Sequence, residues 1–400
     1  MLRKILVSDL TLGMYIHEFC RPRVNDPFWI NNIESLLQDP AVLERIQQSS
    51  TREVWIDIGQ GLRPGAFSAA KSASPSPVVS EAWSDTSPAS MSDELARAGL
   101  ICGRAKAAVM AMFGSAKMGQ AINVEDVDLL VEEISNSVMR HPHALISLSR
   151  LKSSDEYTYM HSVAVCALMV ALARQMDLAE EQVREAGVAG LMHDVGKMMI
   201  ATSILNKPDR LTPAEFEAMK YHPEAGVKIL EENQQVTALV KDVCLHHHEK
   251  VDGSGYPHGL AGDEISQFAK MGAICDVYDA VTSERPYKKG WDVAHSIREM
   301  ASWKGHFDEK IFQHFVKTVG IYPIGALVRL KSERLGVVIE QGSKSLLQPK
   351  VKVFMSARSK ARIAERVIDL AHPDADDAIA RFELAKDWGL DDLNEMWLLP

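Results

Sequence analysis

The sequence predicts a mainly α-helical protein, with a small strand-rich module ahead of the helices and a short β-rich appendage behind them. Three observations carry this prediction. From position 93 to about position 303, with breaks, apolar residues recur at three- and four-residue intervals. Earlier, the run Glu53-Val54-Trp55-Ile56-Asp57-Ile58 is short, rich in β-branched residues and stopped by Gly59 and Gly61. After Gly320 the pattern changes to brief apolar runs at 326–330, 335–339 and 351–354, separated by charged turns, with a helical tail expected beyond them.

In chain order, residues 1–65 read as the strand-rich module, a candidate regulatory input. Residues 66–92 are mostly Ser, Ala and Pro, too poor in apolar surface to offset the entropy of ordering, and read as a flexible linker. Residues 93–145 are connecting helices. Leu95, Ile101, Ala108 and Met112 mark the apolar side of the first, and Val127, Leu130, Val131, Ile134 and Val138 that of the second. The Met- and Ala-rich stretch 93–119 suits a core helix or, less commonly, a homodimer contact. A larger helical domain spans 146–320, with a helix from about 155 to 175. Within it, Thr212-Pro213-Ala214-Glu215 combines a capping box with Pro at the first helical position, and His222-Pro223 marks another helix boundary. Residues 321–400 form the appendage and tail.

Composition narrows the function. The 400 residues include 44 Lys and Arg against 54 Asp and Glu, for a net charge of −10. That balance argues against a DNA or RNA polymer as partner, because such binding needs a basic footprint that displaces counterions. It leaves room for a small anion in a locally cationic pocket. No run approaches the roughly 20 apolar residues of a membrane span, and the N-terminus turns polar too soon for a signal peptide. The chain is therefore expected in the cytoplasm. Its five cysteines lack CxxC spacing and read as reduced, buried thiols.

The chemistry lies in histidines and aspartates. His193-Asp194-Val195-Gly196-Lys197 ends the apolar stretch 188–192; His161 sits upstream on a buried helix face. His222, then His246-His247-His248-Glu249, then Asp276 and Asp279 follow downstream. A lone histidine of this kind is usually a satisfied core residue. A whole set, buried without partners, would cost several kcal/mol, comparable to the net stability of a domain. Divalent cations would remove that cost, and mixed imidazole and carboxylate ligands suit Fe or Mn and can also hold Zn.

Directly after the triple histidine, Asp252-Gly253-Ser254-Gly255-Tyr256-Pro257 forms a glycine- and proline-dictated turn. With HDVGK at 193–197, HHEKVDGSGYP at 247–257 and DVYDAVTSERPYKK at 276–289, the chain resembles the HD-GYP family, a subgroup of the HD metal-dependent phosphohydrolases. The resemblance covers about 146–320, and the first 65 residues look like the small domain of unknown function often fused ahead of it.

The resemblance implies a helical domain that hydrolyses the bacterial second messenger cyclic di-GMP to pGpG and, in many members, GMP. Members commonly affect motility, biofilm formation and virulence. It also implies His161, His193, Asp194, His222, His247, His248 and Asp276 as metal ligands, with Asp194 bridging two ions. A metal-bridging hydroxide would be the nucleophile. Lys197 would act beside Asp194 in catalysis, and Tyr256, Arg285 and Lys288 would contact substrate. Glu249 would orient neighbouring groups or hold the loop and Asp279 would support a ligand, while His246 should point elsewhere. Three-metal members carry a glutamate one turn before the first histidine ligand; here Tyr157 stands there, so two metals are expected. A catalytically weak messenger sensor, a signalling-protein partner or an HD phosphohydrolase of another nucleotide is the competing reading.

Overall fold

The computed structural model describes residues 2–7, 10, 14–19, 35–36, 46, 53–57, 86–150, 157–207, 209–283, 290–342, 345–390 and 393–398. The chain divides into two compact units, Met1–Val78 and Val79–Pro400.

In the first unit β1 (Leu2–Leu6), β2 (Tyr15–Phe19), β3 (Ser35–Leu36) and β4 (Glu53–Asp57) form an antiparallel sheet ordered β1-β4-β2-β3. β4 is central, as its β-branched content favours. Strand alternation turns Val54 and Ile56 to one face, where they are buried with Ile16, Val7, Leu10, Met14 and Ile46.

Residues 66–85 of the expected linker lie outside the described residues. Its last two residues, Met91 and Ser92, are already helical, because Ser90 caps the helix by accepting from the Asp93 N–H at 3.2 Å. The second unit therefore starts with α1 (Met91–Lys117), followed by α2 (Val124–Arg140), α3 (Ala144–Ser149), α4 (Tyr157–Gln175) and α5 (Glu180–Met192). α2 buries the stripe anticipated from its spacing, Val127, Leu130, Val131, Ile134 and Val138, whereas on α1 Ile101 and Met112 are buried and Leu95 and Ala108 only half-buried. The two helices are also joined by a buried ion pair. Glu94 accepts from Arg140 Nε at 2.7 Å and Nη2 at 3.0 Å, and from the Ser137 hydroxyl at 2.6 Å. α4 is buried all round from position 163 to 173, the mark of a core helix.

The remaining helices are α6 (Thr202–Leu205), α7 (Pro213–Met219), α8 (His222–Glu231), α9 (Ala238–His246), α10 (Gln267–Thr282), α11 (Val293–Ser302) and α12 (Glu309–Val319), of which α8, α9 and α10 bring residues to the site. The capping box at α7 is formed in both directions: Thr212 N–H donates to Glu215 at 2.7 Å, and Glu215 N–H to the Thr212 hydroxyl at 3.3 Å. Cys166, Cys244 and Cys275 are buried free thiols and Cys102 is half-buried; Cys20 lies outside the described residues.

β5 (Leu327–Leu330), β6 (Arg334–Glu340), β7 (Lys350–Ser356), β8 (Arg362–Asp369) and β9 (Ile379–Phe382) make a second antiparallel sheet ordered β8-β7-β6-β5-β9. This corrects the expected helical tail: β8 and β9 occupy much of it, and α13 (Leu393–Leu398) is a single short helix. β8 is an edge strand with mostly exposed side chains, so it carries little buried alternation for a sequence reading to detect. The sheet is sandwiched within the unit. Leu327, Leu335 and Phe354 pack with Met91, Ala144 and Trp397, whereas Val328, Val338 and Val351 pack with Val293 and Ala294 of α11.

Candidate metal centre

Asp194 lies at the end of α5, between that helix and a 3-10 turn spanning Val195–Met199. It is fully buried, and imidazoles approach both its oxygens. On the Oδ2 side lie His161 Nε2 from α4 at 3.4 Å and His193 Nε2 at 3.3 Å. Asp276 Oδ1 from α10 is 3.0 Å from the same His161 nitrogen and 3.9 Å from that of His193. On the Oδ1 side lie His222 Nε2 from α8 at 3.3 Å and His247 Nε2, just past α9, at 3.8 Å. His248 Nδ1 completes the ring, 3.7 Å from Asp276 Oδ2.

The tautomers make this a cation site. Nδ1–H donates to the Gly190 carbonyl in His193 (2.8 Å), to the Met219 carbonyl in His222 (2.8 Å) and to the Cys244 carbonyl in His247 (3.0 Å). In His161 it donates to Asp279 Oδ2 at 2.6 Å. A neutral imidazole that donates through one nitrogen presents a lone pair on the other. Three such lone pairs, on His193, His222 and His247, therefore face the oxygens of Asp194. His222 Nε2 and His247 Nε2 are 3.4 Å apart, a spacing suited to two ligands of one ion. His193 Nε2 and Asp194 Oδ1 are buried without a hydrogen-bond partner among the described residues. Such crowding of acceptors is expensive unless positive charge sits among them. The donor set fits divalent metal ions: His161, His193 and Asp276 form one group and His222, His247 and His248 another, with Asp194 between them.

Electrostatics agree. Burial holds His248 down at about 3, and burial with the neighbouring imidazoles holds His247 well below the usual range, so both keep a lone pair. Burial would raise Asp194 and Asp276, but the surrounding imidazoles, joined at Asp194 by Lys197, hold both well below ordinary carboxylates. Burial opposes a proton on His161, yet its bonds to Asp194, Asp276 and Asp279 raise it to about 10, which measures how strongly these carboxylates attract positive charge.

Packing fixes the geometry. A methyl at Gly196 would fall 1.9 Å from the His222 carbonyl oxygen and 2.4 Å from Gly226 N, so only glycine lets α8 bring His222 against the HD turn. Gly255 is similarly pressed, 2.4 Å from Lys250 N and 2.6 Å from the His248 carbonyl for an added Cβ. The buried Glu249 carboxylate accepts from three consecutive backbone N–H groups: His258 at 2.7 Å, Gly259 at 3.1 Å and Leu260 at 3.1 Å. The loop thus returns Tyr256 over His248, ring to ring at 4.7 Å.

The seven anticipated ligands come together. Lys197 Nζ pairs with Asp194 Oδ2 at the edge of the centre. Asp279 supports His161 rather than joining the ligand groups, and His246 points away to Asp242 at 2.7 Å and His258 at 3.1 Å. Arg285 and Lys288 lie outside the described residues, as does the side chain of Tyr157. Two residues beside Tyr256 escaped the sequence reading, Phe216 and Lys220. Their one signal was position, on the turn preceding His222.

Comparison with known proteins sets a boundary inside α2, later than the end of the expected module or the division into two compact units. Residues 134–311 match the HD domain family, and residues 2–127 match a domain of unknown function, DUF3391. The chain is 54% identical over 397 residues to cyclic di-GMP phosphodiesterase PA4108 of Pseudomonas aeruginosa, covering 99% of this chain and 96% of that one. The chain belongs to the HD-GYP family. Another relative in sequence is the cyclic di-GMP phosphodiesterase response regulator RpfG of Xanthomonas campestris pv. campestris, 39% identical over 41% of this chain and 45% of its own. The HDG"Y"P protein Bd1817 of Bdellovibrio bacteriovorus shares the fold, with a TM-score of 0.51 over 79% of this chain and 99% of that one at 17% identity. In this HD-GYP chain, no described helix is long and apolar enough to cross a membrane.

Proposed function

We propose that this chain is a phosphodiesterase that holds two divalent ions, iron or manganese, and hydrolyses cyclic di-GMP to pGpG. The observation that carries the reading is the convergence of imidazole lone pairs on both oxygens of Asp194. The activity that names the relative from Pseudomonas aeruginosa, similar over 99% of this chain, supports the substrate. A two-ligand-group centre sharing one carboxylate supports two ions, and its nitrogen and oxygen donors support iron or manganese.

When bound, such ions supply an activated water and a clamp for phosphate oxygens. The chain's own residues supply the rest. Asp194 is the shared carboxylate, and His161, His193, His222, His247, His248 and Asp276 are the ligands. Lys197, already paired with Asp194, is the cation that meets charge developing on the phosphoryl oxygens. Tyr256 lies against His248; burial, with Asp276 and Asp194 nearby, pushes its phenol upward, so it remains a neutral donor. The motif positions of Arg285 and Lys288 support a role for them on the second phosphate. As a degrader of a second messenger the chain would work in the cytoplasm, with residues 1–65 as its regulatory input.

Metal-loaded protein should convert cyclic di-GMP to pGpG, resolved by chromatography over time, and His193→Ala should abolish conversion. Tight binding with no turnover under either metal would make the chain a sensor. Faster cleavage of another nucleotide would make it an HD phosphohydrolase of different specificity.

A further inference from the structure

At the rim of the metal centre, Phe216, Lys220 and Tyr256 form a cluster that neither ligation nor loop closure uses. Tyr256 lies against the ligand His248. Phe216 meets Tyr256 edge to face, ring centres 6.4 Å apart at 80°. Lys220 Nζ lies 5.1 Å from the Phe216 ring centre and 5.8 Å from that of Tyr256. Phe216 is 45% exposed, and α7 buries no side chain, so this phenyl ring is not a core residue.

We propose that Phe216 and Lys220 form a guanine-base subsite, the phenyl ring stacking on the purine and the ammonium donating to its O6 and N7 edge. The inference rests on the reading that a nucleotide phosphate enters the adjacent centre. An exposed aromatic ring beside a phosphate site offers the face on which any base stacks. Selection then falls to Lys220. An ammonium only donates. Guanine presents two acceptors, N7 and O6, along one edge, whereas adenine presents N7 beside an amino donor. Lys220 also pairs with Glu217 at 2.7 Å, but Glu217 is largely exposed, so that pair is screened by solvent and readily exchanged. The two rings hold the ammonium in place by cation–π attraction.

GMP and AMP test this directly, because they share a phosphate and differ only in the base. Binding of each to the metal-loaded full chain is measured by calorimetry for wild type, Phe216→Ala, Lys220→Met and Lys220→Arg. Wild type should bind GMP about ten-fold more tightly than AMP, within the discrimination that a paired base edge provides. Lys220→Met should reduce that preference to about two-fold or less, and Lys220→Arg, whose fork reaches the same two acceptors, should retain it. Phe216→Ala should weaken both nucleotides by about ten-fold and leave their ratio unchanged, as base-tolerant stacking requires. Equal weakening of GMP and AMP by Lys220→Met would make Lys220 a phosphate contact and overturn the subsite, as would a wild type without preference. Failure to cleave cyclic di-GMP with the GMP preference intact would defeat the hydrolytic reading and leave the subsite standing.

Discussion

The Nδ1–H of His161 donates to Asp279 Oδ2 over 2.6 Å, tying α4 to α10 behind the metal centre. That bond fixes the tautomer of His161 and makes its Nε2 a stronger donor to a cation. Asp279→Asn keeps an acceptor but removes the charge. It should weaken metal binding by about 10- to 100-fold, the usual cost of losing such a supporting carboxylate. A competition titration against a colorimetric chelator measures it. Unchanged affinity would mean that His161 is oriented by packing alone.

Asp194→Asn attacks the carboxylate shared by both ligand groups. Metal content should fall from two ions per chain to one or none, and turnover by at least about a thousand-fold, as when a member of a cooperating catalytic set is lost. Elemental analysis and initial rates on the same preparation read both effects.

Chelation should lower thermal stability. Each ion present at a hundred times its dissociation constant contributes about 2.7 kcal/mol to the folded state. For a domain of this size that corresponds to a fall of roughly 5–10 °C in Tm per ion. Fluorimetric melting before and after chelation, with re-addition of manganese, tests it. A Tm indifferent to metal would argue against ligation.

Gly196→Ala places a methyl against the His222 carbonyl. The chain must move apart there, at a cost of about 1–3 kcal/mol. The displaced backbone carries His222, so loss of an ion should accompany the loss of stability. A variant that melts lower but retains two ions would separate packing from ligation.

Much of this centre was legible because its ligands sit at places that sequence marks. His193 and Asp194 end an apolar run, His222 adjoins a proline, and His247 and His248 precede a glycine-rich turn. The periodic helices were legible for the same reason, since α1 and α2 each bury one stripe. What sequence hid was polarity arising from three-dimensional neighbours. Glu94 and Arg140 carry no sequence signal of burial, yet they pair in the interior. The meeting of Phe216 with Tyr256 depends on a fold contact between positions 40 apart. β8 gave no signal because an edge strand can form by backbone pairing with β7 while most of its side chains face water.

The attachment of the loop at Glu249 has a dynamic consequence. Three successive amides, those of His258, Gly259 and Leu260, depend on one carboxyl group. They cannot fray one at a time from independent acceptors; a rotation of that single side chain releases all of them together. The placement of Tyr256 beside His248 therefore leans on the Glu249 carboxyl group as well as on the bond from the Tyr256 N–H to the His248 carbonyl at 3.2 Å.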